Sequence, residues 1–167
     1  MPRGPQWFAL RTRSRHEKRV EMQLTEQGIC AFLPLQTESH RWSDRHKVVE
    51  VPLFPGYVFV QVVQSAETRL TLLRTTGVAA LVGIHGEGLP IPDKQIDDIR
   101  TLLENGVPLS PRTFLNVGQR VRIRGGSLDG VEGLLLARNA DRSLVVSVEL
   151  IRRSLEVRMA GYEVEIM

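Results

Sequence analysis

The chain has 167 residues, 42% hydrophobic and 25% charged, with a formal net charge of +3. This balance fits an ordinary soluble protein of one medium domain or two small ones. The longest apolar runs, Val78–Val82 and Leu134–Ala137, are too short to cross a bilayer, and Met1–Gln6 lacks the apolar stretch of a signal peptide, so no membrane association is expected. The single cysteine, Cys30, cannot close an intramolecular disulfide, so a cytoplasmic location is expected; between Ile29 and Ala31 it reads as a small buried hydrophobe.

Gln6–Arg11 reads as a first strand, with Trp7 and Ala9 on one side and Phe8 and Leu10 on the other. Ser14 followed by Glu17 is a capping-box pattern for a helix running to about Gln27, with Val20 and Leu24 inward and Gly28 as its stop. Ile29–Leu35 reads as a strand, and Glu38–Val51 as a hairpin turning at Trp42–Arg45. The hairpin tip is basic, with Arg41, Arg45 and Lys47 near His40 and His46. A turn at Pro55-Gly56 leads into a further strand through Val60. Ser65–Leu73 is expected to be a short helix, with Ala66, Leu70 and Leu73 spaced along one stripe, and Gly77–Ile84 a strand. In a third helix Asp93 is the expected cap, Ile96, Ile99, Leu102 and Leu103 form the apolar stripe, and Asn105-Gly106 ends it.

The texture then changes. Val107–Arg112, with Pro108, Ser110 and Pro111, reads as a linker. From Phe114 onward come five short extended runs, Arg120–Arg124, Val131–Arg138, Ser143–Leu150, Leu155–Met159 and Tyr162–Ile166. Turns at Gly125-Gly126, Asn139–Asp141, Arg152-Arg153 and Ala160-Gly161 separate them, as in a small closed barrel.

A search for catalytic chemistry finds none. His16, His40, His46 and His85 make no metal-ligand spacing with cysteine or carboxylates, and Asp97-Asp98 point to different faces of a helix. Gly125-Gly126-Ser127 lacks the ending of a phosphate loop, and no nucleophile elbow exists. A binding protein is expected, not an enzyme, with no catalytic residue, metal or cofactor.

What remains is surfaces. Arg11, Arg13, Arg15, Lys18 and Arg19 stand against one acid, Glu17. They form either a solvated helix face or a nucleic-acid contact. Arg120, Arg122 and Arg124 alternate with Val121 and Ile123, so all three share a face, which is either a solvated exterior or a site for a polyanion or acidic partner. Phe54, Tyr57 and Phe59 concentrate aromatic area in a chain only 5% aromatic. Either one side of that strand is an exposed apolar patch, or helices cover both.

Several strings match a known family. Trp7–Arg11, Arg15–Lys18, Pro52–Val60 and Thr76–Val78 resemble the N-terminal (NGN) domain of NusG-family transcription elongation factors. Val117–Ile123 and Gly125–Gly133 look like that family's C-terminal KOW domain. The resemblance implies an α+β chain: an NGN-like antiparallel sheet flanked by helices over residues 5–106, a linker over 107–113, and a five-stranded SH3-like KOW barrel over 114–167. Pro34-Leu35, Arg41–Arg45, Pro52–Pro55 and Pro90–Asp93 look most like the specialised UpxY-type paralogues, antiterminators of polysaccharide operons.

By this resemblance Trp7, Phe8, Phe54, Pro55, Gly56, Tyr57 and Phe59 would form a partly exposed patch gripping the β′ clamp helices of RNA polymerase. Arg11, Arg13, His16 and Arg19, with Thr75 and Thr76, would read the non-template DNA strand, and the basic hairpin tip would lie toward DNA or the β subunit. Ile151, followed by Arg152-Arg153, stands where the family places an aromatic contact to a small-subunit ribosomal protein or Rho, a departure that fits a paralogue excluding Rho. Val145–Val148 favours a permanent barrel, and a monomer is expected. The alternatives are the housekeeping factor that couples polymerase to the ribosome or Rho, and a ribosome-associated KOW RNA-binding protein.

Overall fold

The computed structural model describes residues 4–42, 45–113, 118–138 and 141–167. The expected hairpin turn at Ser43-Asp44, the expected barrel start at Phe114 and the turn at Asn139-Ala140 lie outside the described residues. The chain divides into two compact units, Met1–Pro90 and Ile91–Met167.

In the first unit, β1 (Gln6–Thr12), β2 (Cys30–Phe32), β5 (Tyr57–Val62) and β6 (Val78–Leu81) form a four-stranded sheet in the order β2-β5-β1-β6. β1 runs antiparallel to β5, with Phe8 opposite Val60, Ala9 opposite Phe59 and Arg11 opposite Tyr57. Side chains alternate across a strand, so this register sorts residues into two faces. Phe8, Leu10, Val58 and Val60 join Val20 and Leu24 of α1 (Glu17–Glu26) and Leu72 of α2 (Ala66–Arg74) in one buried core.

The helix boundaries differ from the sequence patterns. α1 begins at Glu17 behind His16, and Ser14 is not its cap; Arg15 takes a left-handed φ of 64°, which moves the start past the capping-box position. α2 is capped by Ser65, whose Oγ accepts from the Thr68 amide at 3.0 Å. Its expected stripe is corrected: Leu72 faces the core, whereas Leu70 and Leu73 are 49% and 40% exposed. Cys30 is also corrected, since it is exposed on the edge strand β2.

β3 (Leu35–Trp42) and β4 (Arg45–Pro52) make a two-stranded sheet of their own, and β7 (Gly83–Ile84) pairs with β8 (Glu87–Gly88).

The second unit starts with α3 (Asp93–Glu104), where Pro92 takes the cap position and no side chain caps the helix. Ile96, Ile99 and Leu102 are fully buried, and α3 lies against the C-terminal strands. Glu132 and Glu149 donate their amides to Asp98 Oδ2 (3.1 Å) and Gln95 Oε1 (3.2 Å), and Lys94 Nζ donates to the Gly130 carbonyl at 2.6 Å. The helix expected to close the N-terminal domain is therefore bonded to the C-terminal sheet. That sheet has six strands in the order β14-β10-β11-β12-β13-β9. Five match the expected runs: β10 (Gln119–Arg124), β11 (Glu132–Arg138), β12 (Asp141–Val148), β13 (Arg153–Arg158) and β14 (Glu163–Ile166). The sixth, β9 (Ser110–Thr113), comes from the expected linker and pairs with β13. Pro111 suits an edge strand, which is why linker-like composition there is compatible with pairing.

Candidate protein and nucleic-acid interfaces

The ring-bearing face of the N-terminal sheet is opposite α1 and α2. Trp7, Phe32, Phe59 and Phe54 form a chain of ring contacts, with successive centroids 6.3, 6.3 and 5.8 Å apart. Two of these contacts are edge-to-face, the arrangement favoured by the ring quadrupole. Phe32 was not singled out from sequence; its signal is the β2–β5 register, which sets it opposite Phe59.

The expectation of a partly exposed aromatic patch is corrected. Trp7 and Phe54 are each 2% exposed and Phe59 0%, their area spent on one another and on the fold. Phe8 belongs to the other face altogether, in the core beneath the helices, so its role is structural. What stays accessible is the turn before β5: Pro55 is exposed, and Gly56 and Tyr57 are half-buried. Gly56 has a φ of 89°, and its carbonyl accepts from the Thr12 amide at 2.8 Å, tying this turn to the end of β1. Tyr57 sits opposite Arg11.

The basic residues gather next to that turn. Arg11, Arg13, Arg15, Lys18 and Arg19 are exposed and His16 is half-buried. The His16 ring Nδ1 donates to the Ser14 carbonyl at 2.9 Å. The Thr75–Gly77 turn is held against them: the Arg13 amide donates to the Gly77 carbonyl at 2.8 Å, and Gln23 Nε2 donates to the Thr76 carbonyl at 2.9 Å. Arg11, Arg13, His16, Arg19 and Thr76 are thus brought together. Thr75 is corrected: it is 5% exposed, and its hydroxyl donates to the Thr71 carbonyl at 3.1 Å, which withdraws it from any ligand.

In the C-terminal sheet, the alternation on β10 holds, with Val121 and Ile123 buried between the arginines. Acids of the same sheet answer that stripe. Arg122 donates to Glu132 Oε1 at 2.8 Å, Arg120 lies 3.7 Å from Glu132, and Arg124 pairs with Glu165. Burial pushes the Glu132 carboxyl up, but Arg122, Lys94 and Arg120 together hold it below its ordinary value. Asp98 goes the other way, raised by burial despite its bond to Lys94. Ile151 is corrected as a partner contact: a short 3₁₀ turn, Glu149–Ile151, tucks it in at 4% exposure. Arg152 beside it is exposed, in a left-handed conformation with φ 52°.

Among the described residues no group of three or more His, Cys, Asp or Glu side chains is placed to hold a metal ion, and no helix is long and apolar enough to cross a membrane.

Residues 5–100 match the family model described as "Transcription termination factor nusG". Transcription termination/antitermination protein NusG of Lactococcus lactis is 28% identical, with 95% of this chain and 91% of the relative aligned. The protein of the same name from Staphylococcus carnosus is 29% identical over 95% of this chain and 94% of its own length. A solved structure described as "Domain interaction in Thermotoga maritima NusG" shares the fold, with a TM-score of 0.59 at 19% identity, covering 95% of this chain and 96% of that one. The matched segment contains both the ring-bearing strand pair and the basic turn beside it, and the chain belongs to the NusG family.

Proposed function

We propose that this chain is a transcription elongation and antitermination factor, without catalytic activity, that binds RNA polymerase beside the exposed DNA of the elongation complex. The observation that carries this reading is the juxtaposition at the end of the β1–β5 pair. There the accessible turn Pro55–Tyr57 meets Arg11, and Arg13, His16, Arg19 and Thr76 continue the surface. One half offers an aromatic and a proline to a protein partner, the β′ clamp helices. The other offers cations and one histidine to a single strand, through phosphate charge and stacking. Because Trp7, Phe54 and Phe59 are buried, Pro55 and Tyr57 are the residues a partner meets first, and the rings behind them fix their position. Tying the clamp in one conformation is differential binding, and it would suppress pausing without any chemical step.

Retention on purified polymerase tests the first half. Tyr57→Ala combined with Pro55→Ala is expected to weaken retention at least about tenfold, as loss of a central aromatic anchor does. Unchanged retention defeats the reading. For the second half, Arg13→Ala with Arg19→Ala should leave core binding intact and reduce loading at one class of pause site, as expected of an operon-specific factor such as one serving polysaccharide operons. Equal loss on every template favours a housekeeping factor with general charge attraction. In the C-terminal unit Ile151 is buried and Arg152 exposed, so the proposed contact to a ribosomal protein or Rho passes to Arg152.

A further inference from the structure

We propose that the cavity between α2 and the β7–β8 hairpin binds a small zwitterion with an apolar body, the chemistry of a large free α-amino acid. Such a site is separate from the polymerase and DNA contacts above and uses none of the residues that carry them.

The cavity holds about 390 Å³. Its floor is apolar, made by Phe8, Val62, Leu72 and Leu81 at the margin of the buried core. Bonds between distant residues build its walls. Gln64 Nε2 donates to the Gly88 carbonyl at 3.1 Å and Arg69 Nη1 to the Gly86 carbonyl at 3.4 Å, fastening the hairpin to the segment after β5 and to α2. Gly88 is buried, and a Cβ there would stand 2.9 Å from Phe8 Cδ1 and 3.0 Å from Leu81 Cδ2. Only glycine lets the hairpin close this near to the floor.

Two opposite charges line the cavity without meeting. Arg69 and Glu87 both border it, and among the described residues neither makes an ion pair. The bond to Gly86 leaves most of the Arg69 guanidinium donors unused. Opposite charges within reach of each other would pair; held apart across one cavity, they suit a ligand that carries both.

The first turn of α2 sets the ligand's direction. Ser65, Ala66 and Thr68 share the lining with Arg69, and the Ser65 cap is spent on the Thr68 amide. The Ala66 amide, at the positive end of the helix, has no intrahelical acceptor. A carboxylate therefore belongs beside Arg69 and an ammonium beside Glu87, with the apolar body on the floor. A nucleotide or phosphate would set its charge against Glu87, and a simple ion would leave the apolar floor uncovered. The volume lies near the small end of the range for small-molecule sites, about 300–1,000 Å³, which suits a ligand of amino-acid size.

The test is isothermal titration calorimetry of the full chain with L-phenylalanine, L-leucine, glycine and two one-charge analogues, 3-phenylpropionate and 2-phenylethylamine. Wild type is expected to bind phenylalanine or leucine saturably below about 10 mM, and glycine and the analogues at least about tenfold more weakly. Glu87→Gln should erase the advantage of phenylalanine over 3-phenylpropionate, and Arg69→Gln its advantage over 2-phenylethylamine. Both variants should keep the wild-type unfolding midpoint and single-strand DNA binding. Arg69 also holds Gly86, so Glu87→Gln, which removes no bond within the fold, decides the matter if Arg69→Gln unfolds. Any of three results overturns the assignment: neither phenylalanine nor leucine binds wild type, glycine or a one-charge analogue binds as tightly as they do, or Glu87→Gln keeps wild-type discrimination.

Discussion

Replacing Gly77 by alanine tests whether the candidate DNA surface is held by the sheet-to-helix packing described above. Gly77 has a φ of 97°, and a Cβ built there would lie 3.0 Å from both His16 Cβ and Val20 Cγ2. Two costs combine. A side chain in that backbone region costs about 1–2 kcal/mol, and crowding against the start of α1 adds about 1–3 kcal/mol because neither Cβ nor a core valine can swing aside. Gly28 supplies the control: its φ is 79°, but a Cβ there meets nothing within 4 Å, so Gly28→Ala should cost only the conformational part, about 1 kcal/mol. Both tryptophans of the chain, Trp7 and Trp42, lie in the N-terminal unit, so urea unfolding followed by tryptophan emission reports on that unit alone. The expected losses are about 2–5 kcal/mol for Gly77→Ala, a large fraction of a typical domain's stability, and about 1 kcal/mol for Gly28→Ala. Single-strand DNA binding adds a second readout, because the Gly77 carbonyl holds the Arg13 amide. Gly77→Ala should weaken it below the unfolding transition, and Gly28→Ala should not. Equal destabilisation by the two substitutions would refute the packing account.

Phe8→Ala should cost about 3–5 kcal/mol and abolish cooperative unfolding of the N-terminal unit, seen by tryptophan emission, whereas Tyr57→Ala should leave the midpoint within about 1 kcal/mol. Glu132 titrates below its ordinary value in the fold, so it stabilises the C-terminal unit above the usual carboxylate range, and that contribution is lost as pH falls through its lowered value. Glu132→Gln should therefore lower the unfolding midpoint at neutral pH, with the difference closing in acid, as read by circular dichroism across a pH series. Thr75→Val should leave single-strand DNA affinity within about twofold while Arg13→Ala weakens it, because the Thr75 hydroxyl is already committed to the Thr71 carbonyl.

The alternation of β1, the apolar stripe of α3 and the five C-terminal runs were legible because each is a local period. Other features depend on partners distant in sequence. Leu70, Leu72 and Leu73 point in three different directions around α2, so only the position of the sheet selects Leu72. α3 looks like the closing helix of an N-terminal domain until Lys94, Gln95 and Asp98 meet Gly130, Glu149 and Glu132. At the candidate site, the basic cluster was readable from charge density, but Thr75 and Thr76, neighbours in sequence, separate only through the fold: one hydroxyl is capped inside and the other residue is exposed. Ile151 shows the same limit, since a single 3₁₀ turn decides that it faces inward.

Phe8 is the most instructive case. Its position matches a contact residue by resemblance, yet the two-residue period assigns it to the face shared with Leu10, Val58 and Val60, which α1 and α2 must cover. Helices on that face leave Trp7, Arg11, Tyr57 and Phe59 on the opposite one. There the interlocking of Trp7, Phe32, Phe59 and Phe54 removes most of the ring area from solvent. The accessible remainder contracts to the strand ends, where Tyr57 faces Arg11 across one rung. A protein contact and a nucleic-acid contact placed there share a rung, so the rigidity of one sheet fixes the distance between them. That fixed spacing, more than any single ring or charge, is what would let one small unit touch a polymerase and its DNA at the same time.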